Sequence, residues 1–207
     1  MNIVDGKPIG SQDAGLFWHT DGAYLDEPPL ASIIRAIEVP MRDGRPLGDT
    51  EFASMSAAYD ALDADTKAQI EHLRVHHSIA YSRETLGFEF TPAEKDKLKG
   101  AVHPLVRTFK DGRRSLYLAS HAASVIGMSL AEGRLLLRDL MEHATQPRFV
   151  YRHAWREHDL VIWDNRTTMH RARPFDDIKF RRELRRTTTL DVDLAGTARA
   201  ALPRLVR

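Results

Sequence analysis

A histidine and an aspartate stand two residues apart near the start of the chain, in the stretch WHTDGAYLDEPP at residues 18–29. In a β-strand, side chains at i and i+2 point to the same face, so His19 and Asp21 would present an imidazole and a carboxylate to one point. Both groups are metal ligands. The pair therefore predicts half of a metal site, although a histidine that is simply hydrogen-bonded is the alternative that His-x-Asp alone leaves open.

A third ligand is predicted in the last third of the chain, at His170 in WDNRTTMHRA. This residue lies on a predicted late strand, which a jelly roll can fold back against an early strand. Two imidazoles and one carboxylate on one face of an octahedron leave three positions open, as in non-haem Fe(II) oxygenases. The chain contains no cysteine, so thiolate sites and disulfides are excluded and any metal must use His, Asp or Glu.

An arginine-rich strand, RRELRRTTTL at 181–190, follows the third candidate ligand. Strand alternation places one set of its side chains on one face and the remainder on the other; the first set is Arg182, Leu184, Arg186 and Thr188, and the second is Arg181, Glu183 and Arg185. An inward arginine is costly unless a buried anion pairs with it, and its planar fork suits a carboxylate. The sequence therefore predicts that Arg182 and Arg186 point inward and bind a carboxylate.

Surface ion pairs are the simpler interpretation for the second set of arginines. Their acidic partners would be Asp176, Asp177 and Glu183. Alternation alone cannot say which face is inward, so the pair Arg181 and Arg185 stays open as the alternative register.

The elements that must position these residues are mostly strands. Strand-like runs are predicted at 16–19 and 30–38, two helices within 52–73, a hairpin across the KDGR turn, one helix at 129–144, and strands through the last third. Asp63 or Asp65 would cap a helix within 52–73, and Ser129 with Glu132 would form a capping box at the start of the helix at 129–144. Strands at both ends with helices between them favour a mainly β fold with helical insertions, on a double-stranded β-helix core of the jelly-roll, cupin-like type.

Composition narrows the class of protein. At 207 residues, with 43% apolar and 29% charged residues, the chain is predicted to be one globular domain over 1–207 with a C-terminal tail at 193–207. A net charge of +1 gives no electrostatic argument for a nucleic-acid partner. No apolar run approaches the roughly 18 residues of a membrane span, and the first residues lack a secretory signal. The prediction is a cytoplasmic protein that binds neither membrane nor nucleic acid.

Four stretches together resemble the Fe(II)- and 2-oxoglutarate-dependent dioxygenases of the taurine dioxygenase and 2,4-dichlorophenoxyacetate dioxygenase family. The stretches are WHTD, GDTEFASM at 48–55, ATQPRFVYRHAW at 144–155, and WDNRTTMHRARPFDD followed by RRELRRTTTL. The resemblance runs from about residue 16 to residue 192.

The resemblance implies a role for each of these residues. His19, Asp21 and His170 would be the iron ligands; Arg182, with the hydroxyl of Thr50, would hold the distal carboxylate of 2-oxoglutarate. Arg186, four residues later, would meet the acidic group of the primary substrate. The implied reaction consumes O₂, releases succinate and CO₂, and hydroxylates a small anionic organic compound, namely an aryloxyalkanoate, a sulfonate or a sulfate ester.

One departure from the family is expected on the N-terminal side, because only 18 residues precede His19. The resemblance then implies a short member that lacks the family's N-terminal segment. Either the chain is a truncated version, or a partner or another subunit of a homo-oligomer covers that side, and the departure affects the substrate pocket more than the iron site. Two other functions stay open. One is a non-catalytic metal- or ligand-binding jelly-roll remnant of the family. The other is a nucleic-acid binder built on RRELRR, which is weakly supported because no stacking aromatics alternate with the arginines.

Overall fold

The computed structural model describes residues Ile3–Val4, Lys7–Pro8 and 12–190. Its strands, in chain order, are β1 (Ile3–Val4), β2 (Lys7–Pro8), β3 (Pro29–Glu38), β4 (Met41–Arg42), β5 (Arg45–Pro46), β6 (Thr50–Ser54), β7 (Arg74–His77), β8 (Ala101–Pro104), β9 (Val106–Thr108), β10 (Arg114–Leu116), β11 (Ala122–Val125), β12 (Val150–His153), β13 (Leu160–Asp164), β14 (Thr168–Ala172) and β15 (Glu183–Leu190). The helices are α1 (Met55–Asp60), α2 (Ala64–Ile70), α3 (Ile79–Glu84), α4 (Pro92–Lys97) and α5 (Leu130–Ala144). The predicted tail at 193–207 lies outside the described residues.

Two antiparallel three-stranded sheets face each other, and the predicted ligand His170 lies between them. One has the strand order β13-β3-β15 and the other β12-β6-β14. Trp163 of the first sheet contacts two rings of the second, with centroids 5.3 Å from Phe52 and 4.6 Å from His170. This packing of antiparallel sheets confirms the mainly β prediction and the jelly-roll core.

A third sheet and the helices form the main apolar core beside this sandwich. The third sheet has the order β11-β7-β8, and α5 packs on it with Leu137 and Leu140 buried. The predicted capping box of α5 is present, because the Ser129 side chain accepts from the Glu132 backbone and the Glu132 carboxylate accepts from Ser129. The predicted helix at 129–144 is therefore present as α5, and it covers one side of the third sheet.

Several predicted elements are confirmed and two are wrong. Asp63 caps α2, and β9 and β10 form the hairpin across KDGR. The predicted strand at 16–19 is wrong, because Gln12–Leu16 is a 3₁₀ helix and the chain then makes one isolated bridge before it turns at 21–24. The predicted helical segment also begins too early, since Thr50–Ser54 is a central strand of the second sheet.

Within the described residues, none of the helices is long and apolar enough to cross a membrane.

Candidate functional site

Two of the predicted ligands are held together by their own backbones. The amide of His19 donates to the carbonyl of His170 at 3.0 Å, and the amide of His170 donates to the carbonyl of His19 at 2.8 Å. This bridge adds His19 to the edge of the sheet beyond β14. The two imidazole rings lie 4.2 Å apart between their centroids.

Asp21 joins them through a turn rather than through strand alternation. It begins the turn at 21–24, in which Gly22 has a φ of +63° and its carbonyl accepts from the amide of Leu25 at 2.9 Å. The three ligand atoms of His19, Asp21 and His170 all lie within 4.8 Å of one another. Among the residues that the structure describes, this is the one group of three or more such side chains that could hold a metal ion.

Burial makes both imidazoles available as ligands. It lowers the pKa of His19 and lowers the pKa of His170 well below its ordinary value, because the charged form loses its hydration. Nδ1 of His19 donates to the carbonyl of Phe17 at 2.8 Å, which leaves the lone pair of the neutral ring on Nε2. That nitrogen lies 3.8 Å from Asp21 Oδ1. The backbone carbonyl of Phe17 therefore holds His19 in the tautomer whose Nε2 can bind a metal ion.

The carboxylate of Asp21 is buried but compensated. Burial alone would raise its pKa, yet the net effect of its neighbours lowers it; these are, in order of size, His170, Arg186, a hydrogen bond from Ser32, and His19. The Ser32 hydroxyl donates to Oδ2 at 2.6 Å and Nη1 of Arg186 donates to Oδ1 at 2.7 Å. The site thus holds an anion beside two neutral imidazoles, which is a donor set suited to a divalent iron ion.

Arg182 lies in the residues just before β15, four positions before Arg186, which contacts Asp21. Its guanidinium donates to the carbonyl of Gly48 and stacks over Phe175, 5.0 Å from the ring centroid. Burial lowers its pKa, against the opposing effect of the Asp177 carboxylate, and within residues 12–190 no carboxylate is close enough to form an ion pair with it. A desolvated guanidinium of this kind is able to bind a carboxylate from outside the chain.

Gly48 is required for this placement. Its φ is +71°, and a Cβ at this position would lie 2.8 Å from Nη1 of Arg182 and 2.8 Å from the ring of Phe175. Two residues later, the buried hydroxyl of Thr50 accepts from the indole N–H of Trp155 at 3.0 Å. Because the oxygen accepts from Trp155, the hydroxyl hydrogen remains able to donate elsewhere. Within 48–50, the carbonyl of Gly48 therefore holds the guanidinium of Arg182, and Thr50 offers one hydroxyl donor.

The other two arginines of the strand point away from the site. Arg181 pairs with Glu38 at 3.2 Å and with Glu183 at 3.1 Å, and Arg185 pairs with Glu183 at 3.0 Å. Pairing of Arg185 with Arg35 and of Arg186 with Ile34 keeps the two sets on opposite faces along β15. The irregularity near Glu183 adds its extra residue to β3, so alternation within β15 is maintained.

Sequence reasoning missed several residues that the structure places around the site. Ser32, Asn165 and Trp163 are linked by hydrogen bonds that lead to Asp21. His121, which lacks a spaced partner in the sequence, lies with its ring centroid 6.3 Å from that of His19. One signal was present, since Ser32 is a lone hydroxyl inside the apolar run LASIIRA.

Comparisons with known proteins agree with this geometry. A family model described as "Taurine catabolism dioxygenase TauD, TfdA family" matches residues 3–188. The chain is 44% identical, over 90% of its length, to the alpha-ketoglutarate-dependent 2,4-dichlorophenoxyacetate dioxygenase of Cupriavidus pinatubonensis, of which the match covers 64%. It is 32% identical, over 75% of its length, to the alpha-ketoglutarate-dependent sulfate ester dioxygenase of Pseudomonas putida, of which the match covers 53%.

A solved structure gives the same result for the fold. The crystal structure of AAD-2 in complex with Mn(II) and N-oxalylglycine superposes with a TM-score of 0.81 and 51% identity, covering 86% of this chain and 69% of that one. The chain spans 64% of the length of the 2,4-dichlorophenoxyacetate dioxygenase and 53% of the length of the sulfate ester dioxygenase. The match of almost the entire described region to one family model shows that the chain belongs to the TauD, TfdA family of taurine catabolism dioxygenases.

Proposed function

We propose that the chain carries the catalytic site of an Fe(II)- and 2-oxoglutarate-dependent dioxygenase that hydroxylates a small anionic organic substrate. One observation supports this above the others. Two neutral imidazoles and a buried carboxylate converge within 4.8 Å, and the carboxylate contacts Arg186, four residues after the desolvated guanidinium of Arg182. The relatives whose names specify alpha-ketoglutarate dependence agree with it.

In this proposal His19, Asp21 and His170 hold the iron. Their donor set of two nitrogens and one oxygen fits a ferrous ion and leaves part of its coordination sphere for other molecules. When bound, iron with 2-oxoglutarate and O₂ supplies the oxidising power, and the co-substrate leaves as succinate and CO₂. The share of this chain is to place the reactants.

Arg182 and Thr50 are proposed to hold the distal carboxylate of 2-oxoglutarate. Burial makes the positive charge of the Arg182 guanidinium unfavourable. A carboxylate that binds beside it offsets this loss of hydration. Thr50 supplies a hydroxyl whose oxygen is already fixed by Trp155. N-oxalylglycine, which occupies the AAD-2 structure together with Mn(II), is a suitable non-reactive probe of this binding.

Arg186 is proposed to bind the acidic group of the primary substrate. Its side chain contacts Asp21 at 2.7 Å while 52% of it remains exposed, so it borders the metal site on the accessible side. An aryloxyalkanoate is the proposed first choice, because the 2,4-dichlorophenoxyacetate relative is 44% identical and the sulfate ester relative 32%. Sulfonates and sulfate esters complete the proposed substrate class.

The proposal is tested by O₂ consumption and succinate release with Fe(II), 2-oxoglutarate and a panel of aryloxyalkanoates, sulfonates and sulfate esters. The wild-type chain should release succinate faster with at least one of these acids, and His19→Ala should abolish that release. His72→Ala, at an exposed position, is the matched control and should behave as wild type. Before O₂ is admitted, a weak visible band should form with Fe(II) and 2-oxoglutarate and be absent in His19→Ala.

The opposite result would favour the alternative function. A chain that binds metal but releases no succinate with any acid of the panel would act as a metal- or ligand-binding jelly roll. The cytoplasmic location, the homo-oligomeric state, the single-domain organisation and the absence of nucleic-acid and membrane partners stay predictions of the sequence.

A further inference from the structure

A directed chain of buried hydrogen bonds ends on the carboxylate of Asp21. The indole N–H of Trp163 donates to Oδ1 of Asn165 at 3.0 Å, and the amide N–H of Asn165 donates to Oγ of Ser32 at 2.9 Å. The Ser32 hydroxyl then donates to Oδ2 of Asp21 at 2.6 Å. An indole only donates and a carboxylate only accepts, so the direction of every bond is fixed.

The members of this chain come from separate elements that meet in the sandwich. Ser32 lies on β3, Trp163 lies opposite it on β13, and Asn165 follows β13 in the turn toward β14. Ser32 and Asn165 are 0% and 1% exposed. Since solvent cannot substitute for any of these partners, each hydrogen bond restricts the next.

We propose that Ser32 and Asn165 are positioning residues that hold the carboxylate of Asp21 in the orientation required of a metal ligand. The inference rests on the proposed metal site and adds to it two residues to which the comparisons give no role. Asp21 begins a turn, and its carboxylate accepts hydrogen bonds from the side chains of Ser32 and Arg186. The bond from Ser32 is short and charge-assisted, which makes it the strongest restraint on the buried side of the carboxylate.

Asn165 acts on Asp21 only through Ser32. Its amide hydrogen occupies a lone pair of the Ser32 oxygen, so the Ser32 hydrogen is directed to Asp21. The indole N–H of Trp163 donates to the side-chain oxygen of Asn165. This bond identifies the oxygen end of the Asn165 amide and so directs its N–H group toward Ser32. Hydrogen-bond partners behind a metal ligand commonly change metal affinity by about 10- to 100-fold when they are removed.

The test is a Mn(II) titration of the folded full chain, with free Mn(II) measured by electron paramagnetic resonance. Ser32→Ala should weaken Mn(II) binding about 10- to 100-fold, and Asn165→Ala should weaken it by a smaller factor. Ser32→Thr keeps a hydroxyl and should recover most of the affinity. Ser115→Ala is the matched control, because Ser115 is also 0% exposed and its hydroxyl donates to the carbonyl of Leu116 at 3.1 Å. It should lower the melting temperature but leave Mn(II) affinity within twofold of wild type.

Three outcomes would overturn the inference. Ser32→Ala or Asn165→Ala binding Mn(II) as tightly as wild type would show that the chain of hydrogen bonds is only structural. Equal weakening by Ser32→Ala and Ser32→Thr would show that packing, and not the hydroxyl, matters. Absence of Mn(II) binding by wild type would overturn the metal site itself and the proposed function with it, whereas the first two outcomes leave that function intact.

Discussion

The two faces of the arginine-rich strand differ in what satisfies their charges. On the outer face, Arg181 and Arg185 have side chains 72% and 74% exposed, and both pair with Glu183. On the inner face, Arg182 donates to a backbone carbonyl and Arg186 contacts the candidate ligand Asp21. Surface pairs of the first kind are screened by water and contribute little. The same residue type is therefore structural or available for binding according to which side of the sheet it occupies.

The largest expected effect concerns Arg182. Arg182→Gln should weaken binding of N-oxalylglycine to the Mn(II)-loaded chain by about 100-fold, because a buried carboxylate would lose its charged partner. Isothermal titration calorimetry measures this directly. Arg181→Gln, one residue earlier and on the outer face, should stay within twofold of wild type. A loss in Arg181→Gln instead of Arg182→Gln would mean that the inner and outer faces are assigned in the wrong register.

A smaller effect is expected at Arg186. Arg186→Gln should raise the KM for the preferred acid of the substrate panel by about tenfold, because one charge-assisted hydrogen bond to the substrate is lost. The affinity for N-oxalylglycine should change much less than in Arg182→Gln. Arg185→Gln is the control from the outer face. A selective loss of N-oxalylglycine binding in Arg186→Gln would exchange the roles of the two inner arginines.

The third effect is a shift with pH. Burial is the largest influence on the three ligands: it lowers the pKa values of His19 and His170 and raises that of Asp21. The guanidinium of Arg186 lowers the pKa of each of them. Without this guanidinium all three groups bind protons more readily, so protons compete with the metal at higher pH. As pH falls, the Mn(II) affinity of Arg186→Gln should therefore decline at a higher pH than that of wild type. An unchanged profile, or one shifted to lower pH, would contradict this contact.

The smallest effect belongs to the outer pairs. Arg185→Ala should change the free energy of unfolding by no more than about 0.5 kcal/mol, since it removes only an exposed ion pair. Urea unfolding of Arg185→Ala and wild type gives the comparison. A loss of several kcal/mol would show that the outer face is not simply solvated.

Much of the fold followed from local patterns in the sequence. Strand-like apolar runs predicted β3 and the late strands, and the capping residues Asp63 and Ser129 marked the starts of two helices. These signals are local, because a cap or an alternating strand satisfies its own backbone. The predicted strand at 16–19 failed because a single bridge to β14 replaces a full ladder there.

The surroundings of the site depended on contacts that sequence alone does not reveal. Asn165 looks like a turn residue, and only the pairing of β13 with β3 brings it to Ser32, 133 positions away. Trp155 and Thr50 are likewise 105 positions apart. The resemblance to a family supplied residue types at aligned positions, whereas hydrogen bonds between distant elements required the sheet registers.

The reciprocal backbone bonds between His19 and His170 couple metal retention to local breathing of the sheet. If this terminal bridge opens, His19 leaves the edge of the sheet while His170 stays on β14, which is paired with β6. An ion held by both imidazoles must therefore suppress that opening. In hydrogen–deuterium exchange, Mn(II) should slow the amides of His19 and His170 more than those of the distant hairpin β9-β10. Loss of the ion and fraying of this edge are then a single event.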